Sequence, residues 1–159
     1  MAKKMGLTFL ELITIMVAGT MAGNEFCVMI VNTRLSKLED RAHFDSARTL
    51  AAVFGTVMPF WYAATLLLTG VVAFRLRGAG TAAVLVDASA SLWLLSIVYT
   101  ITCLVPINSR IAAWQWGMQP SEWTHARQKW DALHTARVAL LVLALACLVL
   151  ACLLTRIGR

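Results

Sequence analysis

Residues 138–155 read VALLVLALACLVLACLLT, a stretch without a single charged side chain. An α-helix rises about 1.5 Å per residue, so about 20 apolar residues are needed to cross the hydrocarbon of a bilayer. Comparable apolar runs precede it at residues 7–31, 50–74 and 81–105, and the run at 50–74 is also free of charge. We therefore predict an all-α protein, an integral membrane up-down-up-down four-helix bundle that forms one domain over residues 1–159, with its fourth helix beginning near residue 121.

The composition supports the same class of protein. The chain has 159 residues, of which 60% are hydrophobic and 14% charged, whereas soluble domains average about 45–50% and about 25%. The mean hydropathy is +0.74. These values exclude a secreted disulfide scaffold, a disordered tail and a nucleic-acid module. The net charge of +6 lies at the edges of the apolar runs, where it sets topology and attracts lipid headgroups. The expected partners are membrane lipid and a hydrophobic small molecule, with no nucleic acid, and a homo-oligomer is left open.

Orientation follows from the placement of Lys and Arg. In an up-down bundle the N-terminal tip, the turn at 75–80 and the C-terminus share one side of the membrane. These short segments contain basic residues and no acidic ones, namely Lys3, Lys4, Arg75, Arg77, Arg156 and Arg159. The longer connections on the other side mix both signs. The positive-inside rule therefore predicts cytoplasmic termini, in what we expect to be a bacterial inner membrane.

Polar side chains collect at the other end of the predicted bundle. The end of the first helix, the start of the second, the end of the third and the start of the fourth meet there, whichever way the protein is inserted. The residues concerned are Asn24, Glu25, Asn32, Asn108, Arg110, Trp130, His134 and Arg137. A carboxylate facing lipid would cost several kcal/mol, so Glu25 should face the bundle and either hold a proton or pair with a cation. The candidate partners are Arg137, Arg110 and His134.

The start of the fourth helix places several of these groups on one stripe. At about 100° per residue, its aromatic and basic side chains fall within about 80° of one another, whereas His125 points the other way. The stripe consists of Trp123, Arg127, Trp130, His134 and Arg137. The tryptophans alone are explained by anchoring at the membrane interface. For His134 a functional role is favoured, because other helices bring polar groups to the same place.

The second run contains a proline in the stretch MPFWYAA (58–64). Pro59 removes one backbone donor and frees the carbonyl of Gly55, which predicts a kink. The kink would open space beside Trp61 and Tyr62, to be filled either by packing or by a ligand. Packing is the more common outcome.

Four segments together resemble a known family. They are AGNEF (22–26), MPFWYAA (58–64), VPINSRIAAW (105–114) and WDALHTAR (130–137). In this order and at these helix ends, the chain resembles the anthrone-oxygenase-like family of small four-helix integral membrane proteins, a domain-of-unknown-function family, and is most similar to its bacterial branch. The similarity spans nearly the whole chain.

The resemblance implies an oxygenase-like enzyme that oxidises an electron-rich, lipid-soluble, anthrone-like aromatic with dioxygen. Such a reaction needs a base, donors for the developing enolate oxygen and a dry aromatic pocket, and it requires no cofactor. Under this interpretation the base is His134 or Glu25, and the candidate donors are Asn108, Arg137 and the Trp130 indole. The expected catalytic residues are thus His134, Glu25, Asn108 and Arg137, and the expected substrate-binding residues are Trp130, Trp61, Tyr62, Asn24 and Arg110.

Two alternatives use the same residues. In the first, the protein is a metal-dependent membrane oxidase whose metal ion is bound by Glu25 and His134. A third ligand would then come from His43, Cys27 or Cys103, none of which has a motif spacing. In the second, the protein is a non-enzymatic lipid- or quinone-binding membrane module. Its buried polar groups would only hold the helices together, each interhelical hydrogen bond contributing about 0.6–2 kcal/mol.

Overall fold

The computed structural model describes the backbone of residues 2–115 and 120–157 and the side chains of 9–115 and 121–157. Arg159 and the side chains of Lys3 and Lys4, which the orientation argument uses, lie outside this part of the chain. The elements are α1 (Ala2–Leu35), α2 (Asp40–Arg75), α3 (Thr81–Tyr99), a π-helical segment (Thr100–Leu104), α4 (Val105–Ala113) and α5 (Pro120–Ile157).

The described residues contain four helical stretches that are long and apolar enough to cross a membrane. They are Phe9–Leu35, Asp40–Arg75, Thr81–Ala113 and Ser121–Ile157. The predicted all-α four-helix bundle is confirmed, and the protein is an integral membrane protein. Large apolar side chains such as Phe60, Leu67 and Val84 are exposed on the outer surface, as expected where lipid replaces water.

The helices pack in a ring in which each contacts two neighbours. Helix α1 lies between α2 and α5, and α3 lies between the same two helices on the other side. The core is formed where the four meet and includes Met21, Val72, Trp93 and Leu148. This arrangement brings the end of α1 and the start of α5 together, which positions the site described below.

The helices extend further than the apolar runs. The gap between the apolar runs at 7–31 and 50–74 predicted a connection at 32–49, but α1 continues to Leu35 and α2 begins at Asp40, so the turn is only residues 36–39. Helix α5 begins at Pro120, close to the predicted start near residue 121, and runs through the polar residues before position 138. Hydropathy reports the solvent that a segment prefers, and a helix can continue into water wherever its residues have adequate helix propensity.

A π-helical turn interrupts the third span just before Pro106. The N–H of Val105 bonds the carbonyl of Thr100, five residues earlier. Pro106 has no N–H, and its ring would clash with the carbonyl of Thr102 in a regular α-helix. The wider turn relieves this clash. Helix α2, by contrast, continues through Pro59.

Candidate functional site

The site is built around Glu25, a carboxylate on α1 that is fully buried inside the bundle. Arg137 of α5 donates from Nη2 to Glu25 Oε2 at 2.7 Å, and Tyr62 of α2 donates from its hydroxyl to Oε1 at 3.0 Å. Both carboxylate oxygens therefore have a donor, and three helices are joined. A buried charge is tolerated under these conditions, when it is paired and hydrogen-bonded.

His134 lies on α5 one helical turn before Arg137 and contacts the guanidinium of this ion pair. Its Nδ1 is 2.9 Å from Arg137 Nη2, and its Nε2 is 3.2 Å from the backbone carbonyl of Glu25. A guanidinium can only donate, so Nδ1 must accept. Nε2 then bears the proton and donates to the carbonyl. The geometry therefore fits a neutral imidazole in a single tautomer, held by Arg137 on one side and by α1 on the other.

The predicted stripe at the start of α5 is present. Trp123, Arg127, Trp130, His134 and Arg137 are all buried, whereas His125 is exposed. The Trp130 ring stacks on His134, with centroids 4.7 Å apart and planes 13° from parallel. The Arg127 guanidinium lies 4.4 Å from the centre of the Trp130 ring and bonds Asp131 at 3.0 Å. These contacts hold the Trp130 ring in one position.

A cavity of about 490 Å³ adjoins the cluster. Its polar wall includes Glu25, Tyr62, Asn108, Trp130 and Arg137, and most of the remaining lining is apolar. We call it the Glu25 cavity. Its volume lies in the range typical of small-molecule sites, which are also mostly apolar with a few convergent polar groups.

The Glu25 cavity reaches the lipid-facing surface between α2 and the π-helical segment. Its lining includes Pro59, Ala63 and Leu67 of α2, together with Ile101 and Val105, and all five are exposed. Pro59 and the π-helical turn thus lie on opposite sides of one apolar opening. A molecule dissolved in the membrane could enter there without crossing water.

Three N–H donors of cavity-lining residues are buried without a partner. Within the described part of the chain, Trp130 Nε1, Arg137 Nε and Arg127 Nε have no hydrogen-bond acceptor. Such groups are uncommon in proteins, because each costs about 1–3 kcal/mol in lost hydration. All three belong to residues that line the Glu25 cavity.

Other predicted residues lie elsewhere. Trp61 donates to the backbone carbonyl of Val17 at 3.2 Å and does not line the Glu25 cavity. Asn24 is half-buried outside that lining, and Arg110 is exposed in a separate cavity. His134 also lies outside the lining of the Glu25 cavity, although Arg137 connects it to the site.

Sequence reasoning missed two contributors. Arg127 lines the Glu25 cavity, and Arg137 Nη1 donates to Thr100 Oγ1 at 3.3 Å. Arg127 was on the predicted stripe and could have been selected because it is seven residues, or about two helical turns, before His134. Thr100 is a threonine near the end of the third apolar run, and its residue type alone gave no sign of a role.

Arg137 also bears on the alternative of a metal bound by Glu25 and His134. Its Nη2 lies 2.7 Å from Glu25 Oε2 and 2.9 Å from His134 Nδ1. A cation therefore already stands between the two predicted ligands. In the described residues, no group of three or more His, Cys, Asp and Glu side chains is placed to hold a metal ion.

Comparison with known proteins identifies the family. The model of the anthrone oxygenase family matches residues 47–147. No curated protein and no solved structure matches the chain. The matched region contains Tyr62, Asn108, Trp130, His134 and Arg137, and it begins after Glu25. Because the match covers more than half of the sequence, the chain belongs to the anthrone oxygenase family.

Proposed function

We propose that this protein is a membrane-embedded oxygenase that converts an electron-rich, lipid-soluble aromatic of the anthrone type to a quinone, with dioxygen as oxidant. Family membership supports the reaction class. The observation that carries the proposal is the Glu25 cavity, where a buried carboxylate adjoins an apolar space whose wall includes residues with unpartnered N–H donors.

The chemistry suits a site of this kind. The doubly benzylic CH₂ of an anthrone is acidic for a C–H bond, and its loss of a proton places negative charge on the oxygen of the ketone across the central ring. The resulting anion is electron-rich enough to reduce dioxygen directly. One oxygen atom enters the product as C=O and the other leaves as water, so CH₂ and O₂ become C=O and H₂O. In this scheme no cofactor is needed.

Glu25 is our candidate for the base, because it is the carboxylate that lines the cavity. Arg137 and Trp130 would donate to the oxygen that becomes negative, and Asn108 on the same wall is a further donor. Donors fixed in advance around developing charge stabilise a transition state more effectively than mobile water does. The dry surroundings strengthen these interactions.

His134 is assigned a positioning role. It lies outside the cavity lining, and its Nδ1 accepts from Arg137 at 2.9 Å. It would fix the orientation of the guanidinium toward Glu25 and the substrate, as outer partners do around many active sites. The alternative in which His134 is itself the base remains a prediction.

Oxygen consumption tests the proposal. Purified protein in lipid nanodiscs should consume dioxygen and form quinone when given anthrone, above the spontaneous rate. Glu25→Gln should slow this by about two to four orders of magnitude, the usual contribution of a general base. His125→Ala, on the exposed face of α5, should leave the rate unchanged and serves as the control.

The alternatives give different results in the same assay. Activity that disappears with a chelator and returns with one metal would support the metal-dependent oxidase. A folded wild-type protein that consumes no oxygen with anthrone or related electron-rich aromatics would contradict the enzyme proposal. It would favour the lipid- or quinone-binding module instead.

A further inference from the structure

A second cavity, of about 780 Å³, lies between α4 and α5. Among the residues that the structure describes, none lines both the Glu25 cavity and this one. We call it the α4–α5 groove; its lining includes Cys103, Ile107, Arg110, Trp114, His125 and Lys129. The proposed oxidation makes no use of these residues.

The polarity of the residues that line the α4–α5 groove changes along its length, from a lower end nearest the apolar runs to an upper end nearest water. Its lower end is formed by Thr102 and Cys103, which belong to the apolar run at 81–105, and by Pro106 and Leu133. Its upper end contains Arg110 and Lys129, which lie beyond the apolar runs, where we expect the lipid headgroups. The groove thus has an apolar end toward the hydrocarbon and a cationic end toward water.

The upper end is suited to an anion. Arg110 on α4 and Lys129 on α5 are both exposed, and His125 lies one helical turn before Lys129. A hydroxyl group is available from Ser121. Among the described lining residues Glu122 alone is acidic, so Arg110 and Lys129 leave an excess of positive charge. Trp114 lies at the same level, where tryptophan commonly meets lipid headgroups.

We propose that the α4–α5 groove binds one anionic phospholipid. Arg110 and Lys129 would contact its phosphate from two helices, and an acyl chain would lie against Cys103 and Leu133. Charge complementarity selects an anionic headgroup, and the apolar lower end selects a lipid over a free anion. The site is independent of the oxygenase proposal, because it needs no residue of the Glu25 cavity.

Native mass spectrometry of the full chain in detergent tests this proposal. Phosphatidylglycerol should remain bound under conditions that remove phosphatidylcholine. Each basic residue near an anionic headgroup contributes about a fivefold gain in binding, so Arg110→Ala/Lys129→Ala should weaken phosphatidylglycerol binding by about 25-fold. Both residues are exposed, and the fold should be retained. Cys103→Trp, which fills the lower end, should also reduce binding while both charges remain.

The matched control is Arg34→Ala/Lys37→Ala, which removes two exposed cations at the same end of the bundle but outside the groove. It should bind phosphatidylglycerol as the wild type does. An equal loss in this control would show diffuse surface attraction and overturn the proposal. Equal affinity for phosphatidylcholine would do so as well. If glycerol phosphate bound as tightly as the lipid, the groove would recognise an anion and not a lipid, and the proposal would be wrong.

Discussion

Arg137 donates a hydrogen bond of 2.7 Å to Glu25, although the two residues are 112 positions apart in the chain. The bond joins α1 to α5 inside the bundle, where both side chains are largely excluded from solvent. Removing one partner of a buried pair leaves an uncompensated charge, which costs far more than removing an exposed ion pair. The free energy of unfolding should therefore be sensitive to the loss of either partner alone.

Loss of the Arg137 guanidinium should therefore destabilise the protein strongly. We expect Arg137→Ala to lower the free energy of unfolding by about 3–5 kcal/mol, because Glu25 would be left charged and buried. Glu25→Gln/Arg137→Gln, which removes both charges, should cost less than Arg137→Ala alone. Equilibrium unfolding in detergent measures the difference, with the exposed Arg34→Ala as control. Equal stability of the single and double variants would contradict the argument.

Trp130→Phe separates function from stability. The substitution removes the indole N–H but keeps an aromatic ring on His134 and Arg127. Because Nε1 has no partner in the described residues, its loss should leave the melting temperature unchanged or slightly higher. If the N–H donates to the substrate oxygen, the oxidation rate should fall by about 10²–10³-fold, as for other donors to developing charge. An unchanged rate would remove Trp130 from the proposed site.

The roles of Glu25 and His134 are distinguished by conservative variants. His134→Asn keeps an acceptor for Arg137, whereas His134→Ala does not. A positioning role predicts that His134→Ala loses about 10–100-fold in rate and that His134→Asn recovers part of it. Glu25→Gln should lose more than either. If His134→Asn is as inactive as His134→Ala, and both lose more than Glu25→Gln, His134 is the base.

Membrane orientation is accessible to cysteine labelling. The positive-inside rule predicts that Arg77, in the turn between α2 and α3, faces the cytoplasm and that Lys37, in the turn between α1 and α2, faces the opposite side. Both positions are exposed. In a background without the native cysteines, Lys37→Cys in intact cells should react with an impermeant reagent, and Arg77→Cys should react only after lysis. The reverse pattern would invert the topology.

The helices and the central cluster could each be predicted from the sequence by one physical rule. Run length against bilayer thickness identified the four spans, and the cost of a buried carboxylate indicated that Glu25 faces the bundle, with Arg137 as one of three candidate partners. Helical periodicity separated buried His134 from exposed His125. These are local rules, and they hold in this fold because its helices are regular.

What the sequence did not predict depends on departures from that regularity. One such departure is the π-helical turn before Pro106, which begins at Thr100, the residue whose hydroxyl accepts from Arg137. The division of roles between lining and supporting residues also depends on side-chain directions across helices. Trp61, adjacent to Tyr62 in sequence, bonds to α1 and stays outside the Glu25 cavity. Helical periodicity alone does not show which residues line the Glu25 cavity and which lie outside it.

The lateral opening between α2 and the π-helical segment leads to the final prediction. Gly55 lines the Glu25 cavity, and a Cβ added there would meet no atom within 4 Å. Gly55→Trp should fold normally but obstruct entry from lipid, lowering kcat/KM for anthrone by about tenfold, mainly through KM. Gly70→Trp is the matched control, because Gly70 is also on α2, is equally open and does not line the cavity. Equal kinetics for the two variants would exclude this entry route. The proposed site in the Glu25 cavity would still be supported if Glu25→Gln loses activity.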